Sequence, residues 1–174
     1  MDASEYVIPF VGLKNGTHSF SFQIENTFFK NFGYHNEFET AIFQVHLDFE
    51  KKTNMLALCF QGSGHIEVYC DVSTELFKLP ISCTFDLIVK FGEQVENSNE
   101  EVLYLPVNSY QIDISQYIYE MIVLAIPQKK IHPGVLDGTL QSEIVNKLKE
   151  LQPKENPLAG TKDPRWDKLN ELLK

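Results

Sequence analysis

Hydrophobic and polar residues alternate with period two over much of the first hundred positions, the mark of strands with one buried face. Ala41, Phe43, Val45, Leu47 and Phe49 fall on one side of a long segment whose other side holds Thr40, Gln44, His46 and Asp48. Residues 51–54 turn the chain into a second apolar strand over 55–60, and Gly62-Ser63-Gly64 predicts a bend or bulge before the sheet resumes at 65–70. After a connection over 70–80, Phe85, Leu87, Val89 and Phe91 alternate with Thr84, Asp86 and Lys90, and residues 102–105 make a last short strand. Asn15-Gly16 is a two-residue turn signal, and Phe20, Phe22 and Ile24 alternate with Ser19, Ser21 and Gln23 after it, which predicts a hairpin over 5–24. Residues 26–32 read as a short helix capped by Asn26 and ended at Gly33.

The period then changes. Ile114, Tyr117, Ile118, Met121, Ile122 and Ala125 recur at helical spacing, with Ser115, Gln116, Tyr119 and Glu120 mainly on the other side. Asp113 with Gln116 has the spacing of a capping box, and the ring of Pro127 stops the helix, predicted at about 113–126. Leu140, Ile144, Leu148 and Leu151 predict another helix, capped by Thr139 and stopped by Pro153. A linker at about 152–162 leads to a final helix that opens with Asp163 at the cap and Pro164 at its first turn. The expected fold class is α+β: a mostly antiparallel, strongly curved sheet or barrel packed by one long helix, with a helical C-terminal appendage. The expected division is a β-rich core over 1–134 and a helical segment over 135–174.

Composition changes this picture little, and charge changes it more. At 43% hydrophobic and 22% charged the chain is ordinary globular material. No apolar stretch approaches the roughly 18 residues of a spanning helix, and Asp2 and Glu5 do not suit a signal peptide, so a cytoplasmic protein away from membranes is expected. Residues 128–174 carry nine Lys/Arg against seven Asp/Glu, which leaves −11 of the net −9 on residues 1–127. An acidic body opposes nucleic-acid binding, and only one of the fifteen basic residues is arginine, the side chain best suited to forked phosphate contacts.

Cys59, Cys70 and Cys83 hold no close pair, and the histidines (18, 35, 46, 65 and 132) are scattered one to a segment, so neither a metal nor a cofactor is expected. Three thiols that cannot all pair read as reduced. Gly62-Ser63-Gly64 lacks the lysine and following helix of a phosphate loop. The acid pairs Glu37/Glu39 and Glu100/Glu101 fall on exposed positions, and no nucleophile, base and orienter can be assembled, so the reading is a non-enzyme with no catalytic residue. Thirteen Phe and seven Tyr read as core packing, most Phe lying at alternating inward positions. The rival reading is a β-barrel module for a small apolar ligand or peptide, with the rings lining a cavity.

Three stretches together resemble the YceD-like family of large ribosomal RNA subunit accumulation proteins. Residues 64–80 resemble its strand, cysteine-bearing turn and return strand, with Cys70 at the cysteine. Residues 112–127, with Asp113, Glu120 and Pro127, followed by Ile131-His132-Pro133, are similar to its helix signature. Asn156-Pro157-Leu158 and Asp163-Pro164-Arg165-Trp166-Asp167-Lys168-Leu169 are similar to its C-terminal endings. Order and spacing agree from about residue 5 to the end. Many members carry a Cys-x-x-Cys at the turn and a second cysteine cluster after the helix, suggestive of zinc. Here Ser73 stands in the partner position and no cysteine follows residue 83.

The resemblance implies a part in accumulation or processing of large-subunit ribosomal RNA, hence ribosome biogenesis. Combined with the acidic body, it points to a monomer that holds a basic ribosomal protein or assembly factor and meets the RNA indirectly. In the C-terminal segment, Arg165, Trp166 and Leu169 are the candidate partner-binding residues, because aromatic and arginine anchors dominate interface energy.

Overall fold

The computed structural model describes residues 3–33, 38–92, 102–140 and 142–151. The predicted loop at 93–101, the linker at 152–162 and the final helix, with Asp163, Pro164, Arg165, Trp166 and Leu169, lie outside the described residues. The chain divides into two compact units, Met1–His132 and Pro133–Lys174.

In the first unit a five-stranded sheet runs β2 (Gly16–Glu25), β3 (Thr40–Lys51), β4 (Met55–Tyr69), β5 (Leu76–Phe91) and β6 (Val102–Leu105), each strand beside its sequence neighbour. Alternation sets its faces. Ala41, Phe43, Val45, Leu47 and Phe49 of β3 join Leu56, Leu58, Phe60, Ile66 and Val68 of β4 in the core. Helix α1 (Asn26–Lys30) lies against β2 and β3, and α2 (Ser115–Leu124) against β5. The opposite face carries Asp48, His46, Gln44, Gln61, Ser63, Ser82, Thr84 and Asp86 to solvent.

The expectation of a closed or strongly curved barrel with one long helix is overturned. The sheet is open and mixed: β2 and β6 are its two edges, and β6 runs parallel to β5. No barrel cavity exists among the described residues for the rings to line, so the ligand-module reading loses its premise. Helix α2 has only ten residues. Asp113 does accept a bond from Ser115 N (2.9 Å), but it does so from a short strand, β7 (Gln111–Asp113), and the helix gives way to turns after Leu124. Tyr119, expected outside, is buried because its ring stacks on Phe32 at 4.3 Å between centroids.

The predicted N-terminal hairpin also does not form. Strand β1 (Val7–Pro9) pairs with β7 in a separate two-stranded sheet, while β2 turns to β3. Lys51 secures the intervening loop by donating to the carbonyls of Phe10 (2.7 Å) and Leu13 (2.8 Å). Nor is there a bulge at Gly62-Ser63-Gly64, where register with β3 and β5 is unbroken. Glycine serves close approach instead: a Cβ at Gly64 would strike the carbonyl oxygen of Ile42 and Cα of Phe43. Asn26, read as a cap, ties α1 to β3 by accepting from Ala41 N (2.6 Å) and donating to the Glu39 carbonyl (2.8 Å).

In the second unit, α3 (Pro133–Leu136) precedes α4 (Glu143–Leu151). Ser142, not Thr139, caps α4, its hydroxyl accepting from Ile144 N (3.3 Å). Ile144, Leu148 and Leu151 are exposed, and Val145 is buried.

Candidate functional site

The segment after β4 folds back within six residues, and its geometry collects several of the positions that the sequence singled out. Cys70 N donates to Glu75 O and Thr74 N to Cys70 O, both at 2.9 Å. Thr74 takes a positive φ of 59° to complete the turn. The sulfur then accepts from Ser73 N at 3.4 Å and from His132 N at 3.2 Å. Asp71 completes the join: its N–H donates to the Lys130 carbonyl (2.8 Å), and its carboxylate accepts from Lys130 N (2.6 Å). The His132 ring meets Phe77 edge-on, 5.3 Å between centroids. Cys70 and His132 therefore share one site. Asp113 and Glu120 do not join it: Asp113 opens α2, and Glu120 accepts from Gln116 (2.8 Å) on its exposed side. Pro127 follows the helix, where its ring blocks continuation.

Burial pushes the Cys70 thiol up, but the neighbouring Ser73 hydroxyl and the N–H groups of His132 and Ser73 outweigh it and hold the thiol below its ordinary value. The hydroxyl is buried and makes no aligned hydrogen bond; its nearness to the sulfur is what counts. These residues do not suit a zinc ion. Cys70 is the one thiol at the turn, and among the described residues no three His, Cys, Asp or Glu side chains stand close enough to hold a metal.

A second feature lies on the solvent face of the sheet, where cross-strand register lines up Ser19, Asp48, Cys59 and Asp86 in one row and Thr17, Glu50, Ala57 and Ile88 in the next. All of these but Ser19 border a shallow depression of ≈ 270 Å³. Asp48 accepts from the Ser19 hydroxyl (2.8 Å), and Glu50 pairs with Lys52 (3.0 Å). The Asp86 carboxylate, then partial burial, raise the Cys59 thiol, so it stays protonated beside the acids. Sequence reading missed this row because its four residues, far apart in the chain, become neighbours only through strand register. The Asp71–Lys130 link escaped it for a similar reason, since neither residue carries a motif.

The family model described as "Large ribosomal RNA subunit accumulation protein YceD" matches residues 58–173, from within β4 onward. No curated protein and no solved structure matches the chain.

Proposed function

The chain belongs to the YceD family, described as large ribosomal RNA subunit accumulation proteins, and on that premise we propose that it is a non-catalytic ribosome-biogenesis factor that holds a basic ribosomal protein or assembly factor. The family ties it to accumulation of large-subunit ribosomal RNA. The observation that carries the finer reading is the character of the exposed sheet face, where Asp48, Glu50 and Asp86 gather on a body of net charge −11. Such a surface repels phosphate and speeds encounter with a cationic protein. The Cys70 turn has a structural part in this reading: it fastens the end of β4 to the segment after α2 and leaves its thiol buried.

Affinity purification from cells at low and at high salt, with identification of the co-purifying protein and RNA, tests the proposal. A basic large-subunit protein or assembly factor that is released by salt is expected. Tight binding of large-subunit RNA by the purified chain at moderate salt, without any protein partner, would overturn it.

A further inference from the structure

Strand β5 is paired along its whole length on one side only. β4 accompanies it from Leu76 to Lys90, whereas β6 covers its other side from Ile88 to Phe91. Over residues 76–87 no strand among the described residues lies against that second side. Its donors can be assigned. Pro80 faces His65 in the β4 pairing and has no N–H, so this pair lies at a position where the β5 backbone turns away from β4. Pairing is continuous, so Ser82, Thr84 and Asp86 share that orientation. Gly92 N, of the same parity, does reach β6, donating to Leu105 O at 2.9 Å. Pro80 ends the useful edge on one side and β6 on the other. Between them, three N–H groups and three carbonyls point outward, the chemistry that an extended peptide satisfies.

What borders this edge defines the peptide further. The Phe85 ring, 36% exposed, stacks on Tyr117 of α2 at 6.2 Å and 11°. Leu124, on the same helix, is exposed. Carboxylates lie on both faces of this edge: Asp86 on the solvent face of the strand, and, on the face that holds the rings, Glu120 and Asp113, whose negative charge, after burial, helps push the Tyr117 hydroxyl up. The other sheet edge, β2, holds no carboxylate of its own before Glu25, and the acids beside it, Asp48 and Glu50 of β3, are already engaged by Ser19 (2.8 Å) and Lys52 (3.0 Å).

The geometry points to the β5 edge over Ser82, Thr84 and Asp86, walled by Tyr117 and Glu120, as the docking site for an extended, lysine- or arginine-bearing segment of a partner protein, added to the sheet as a further strand. Its backbone pairs with the three outward-facing residues, an apolar side chain lies on the Phe85–Tyr117 ring pair, and basic side chains meet Asp86 on one face and Glu120 and Asp113 on the other. This rests on the proposal that the partner is a basic protein, and it names the surface.

The test uses the full chain and a short synthetic peptide of alternating lysine and valine, with a threonine–valine peptide for comparison. Amide exchange of Ser82, Thr84 and Asp86 is expected to slow by roughly tenfold or more when the lysine peptide binds. Thr84→Pro removes one outward donor without touching the β4 ladder, and should weaken binding about fivefold or more. Should that variant fail to fold, Glu120→Lys on the exposed side of α2 repels the same peptide and should weaken it comparably. Protection on β2 or elsewhere, with binding indifferent to both substitutions, overturns this site but leaves the basic-partner reading standing. Binding of large-subunit RNA, but of no basic peptide, overturns both.

Discussion

The sulfur of Cys70 lies 3.2 Å from the backbone nitrogen of His132, sixty-two residues further along the chain. Together with the Asp71–Lys130 pair, this contact ties the end of β4 to the segment after α2. Replacing Cys70 with alanine removes the acceptor for two N–H groups in a buried place and is expected to cost about 1–3 kcal/mol. The pH dependence has a definite sign. The folded thiol titrates below its ordinary value of 9.0, so its extra stabilisation is fully present above that value and is lost as pH falls through the folded value. The stability difference between the natural chain and Cys70→Ala should therefore widen on raising pH toward 9.0. Denaturant midpoints of the two chains across that range check it; a gap that is flat or narrows with pH contradicts the assignment. Using the difference matters, because Cys83, raised by burial, works in the opposite sense.

Gly64→Ala should be among the most damaging single substitutions in the sheet. The added methyl would meet only backbone and a ring of the adjoining strand, including Phe43 Cα at 2.7 Å, and paired strands cannot part locally. A loss of about 3 kcal/mol or more is expected. Gly62→Ala meets Cys83 Sγ at 2.7 Å and Met121 Cε at 3.2 Å, side chains that can turn aside, and should cost nearer 1–2 kcal/mol. Urea unfolding of both variants ranks them, and the reverse order would refute the account.

The same strand shows what the sequence could and could not convey. Alternation in residues 41–49 gave the faces of β3 correctly because its whole inner row is apolar and buried. Gly62-Ser63-Gly64 has the composition of a bulge, and only the nearness of Ile42 and Phe43 shows that glycine is needed for clearance. Nothing in Val102-Leu103-Tyr104-Leu105 signals direction, so the parallel pairing to β5 was not legible, and with it the open sheet. Helical spacing sets Tyr119 away from the apolar stripe, yet Phe29 and Phe32 provide it with a ring-lined seat. Of the candidate site, Cys70 and His132 were legible as motif positions. Their meeting was not, since it depends on the turn at Thr74 and on Lys130.

Lys51 is charged but acts as a structural brace. Its ammonium donates to Phe10 O at 2.7 Å and Leu13 O at 2.8 Å, with Val11 O at 3.4 Å, which ends the loop that carries the chain from β1 to β2. Lys51→Met keeps the stem and removes the donors. It should cost about 1–2 kcal/mol and speed amide exchange at the start of β2 more than in β4. Uniform exchange changes across the sheet would mean that the loop is held by something else.

Asp86 offers a direct chemical readout of the acidic row. It is the largest influence raising the Cys59 thiol, ahead of burial, and Asp48 contributes least. Asp86→Asn should therefore bring that thiol down toward its ordinary value, and at mildly alkaline pH the reactive thiolate becomes more abundant. Alkylation of Cys59 by iodoacetamide, located by peptide mass spectrometry, is expected to quicken about threefold or more. Cys70 and Cys83 are buried and should report little in the same experiment, which makes them internal controls for folding. Asp48→Asn should quicken the reaction less than Asp86→Asn. If the two variants behave alike, the thiol answers to the general negative potential of the face and not to its neighbour on β5, and the row loses its local meaning.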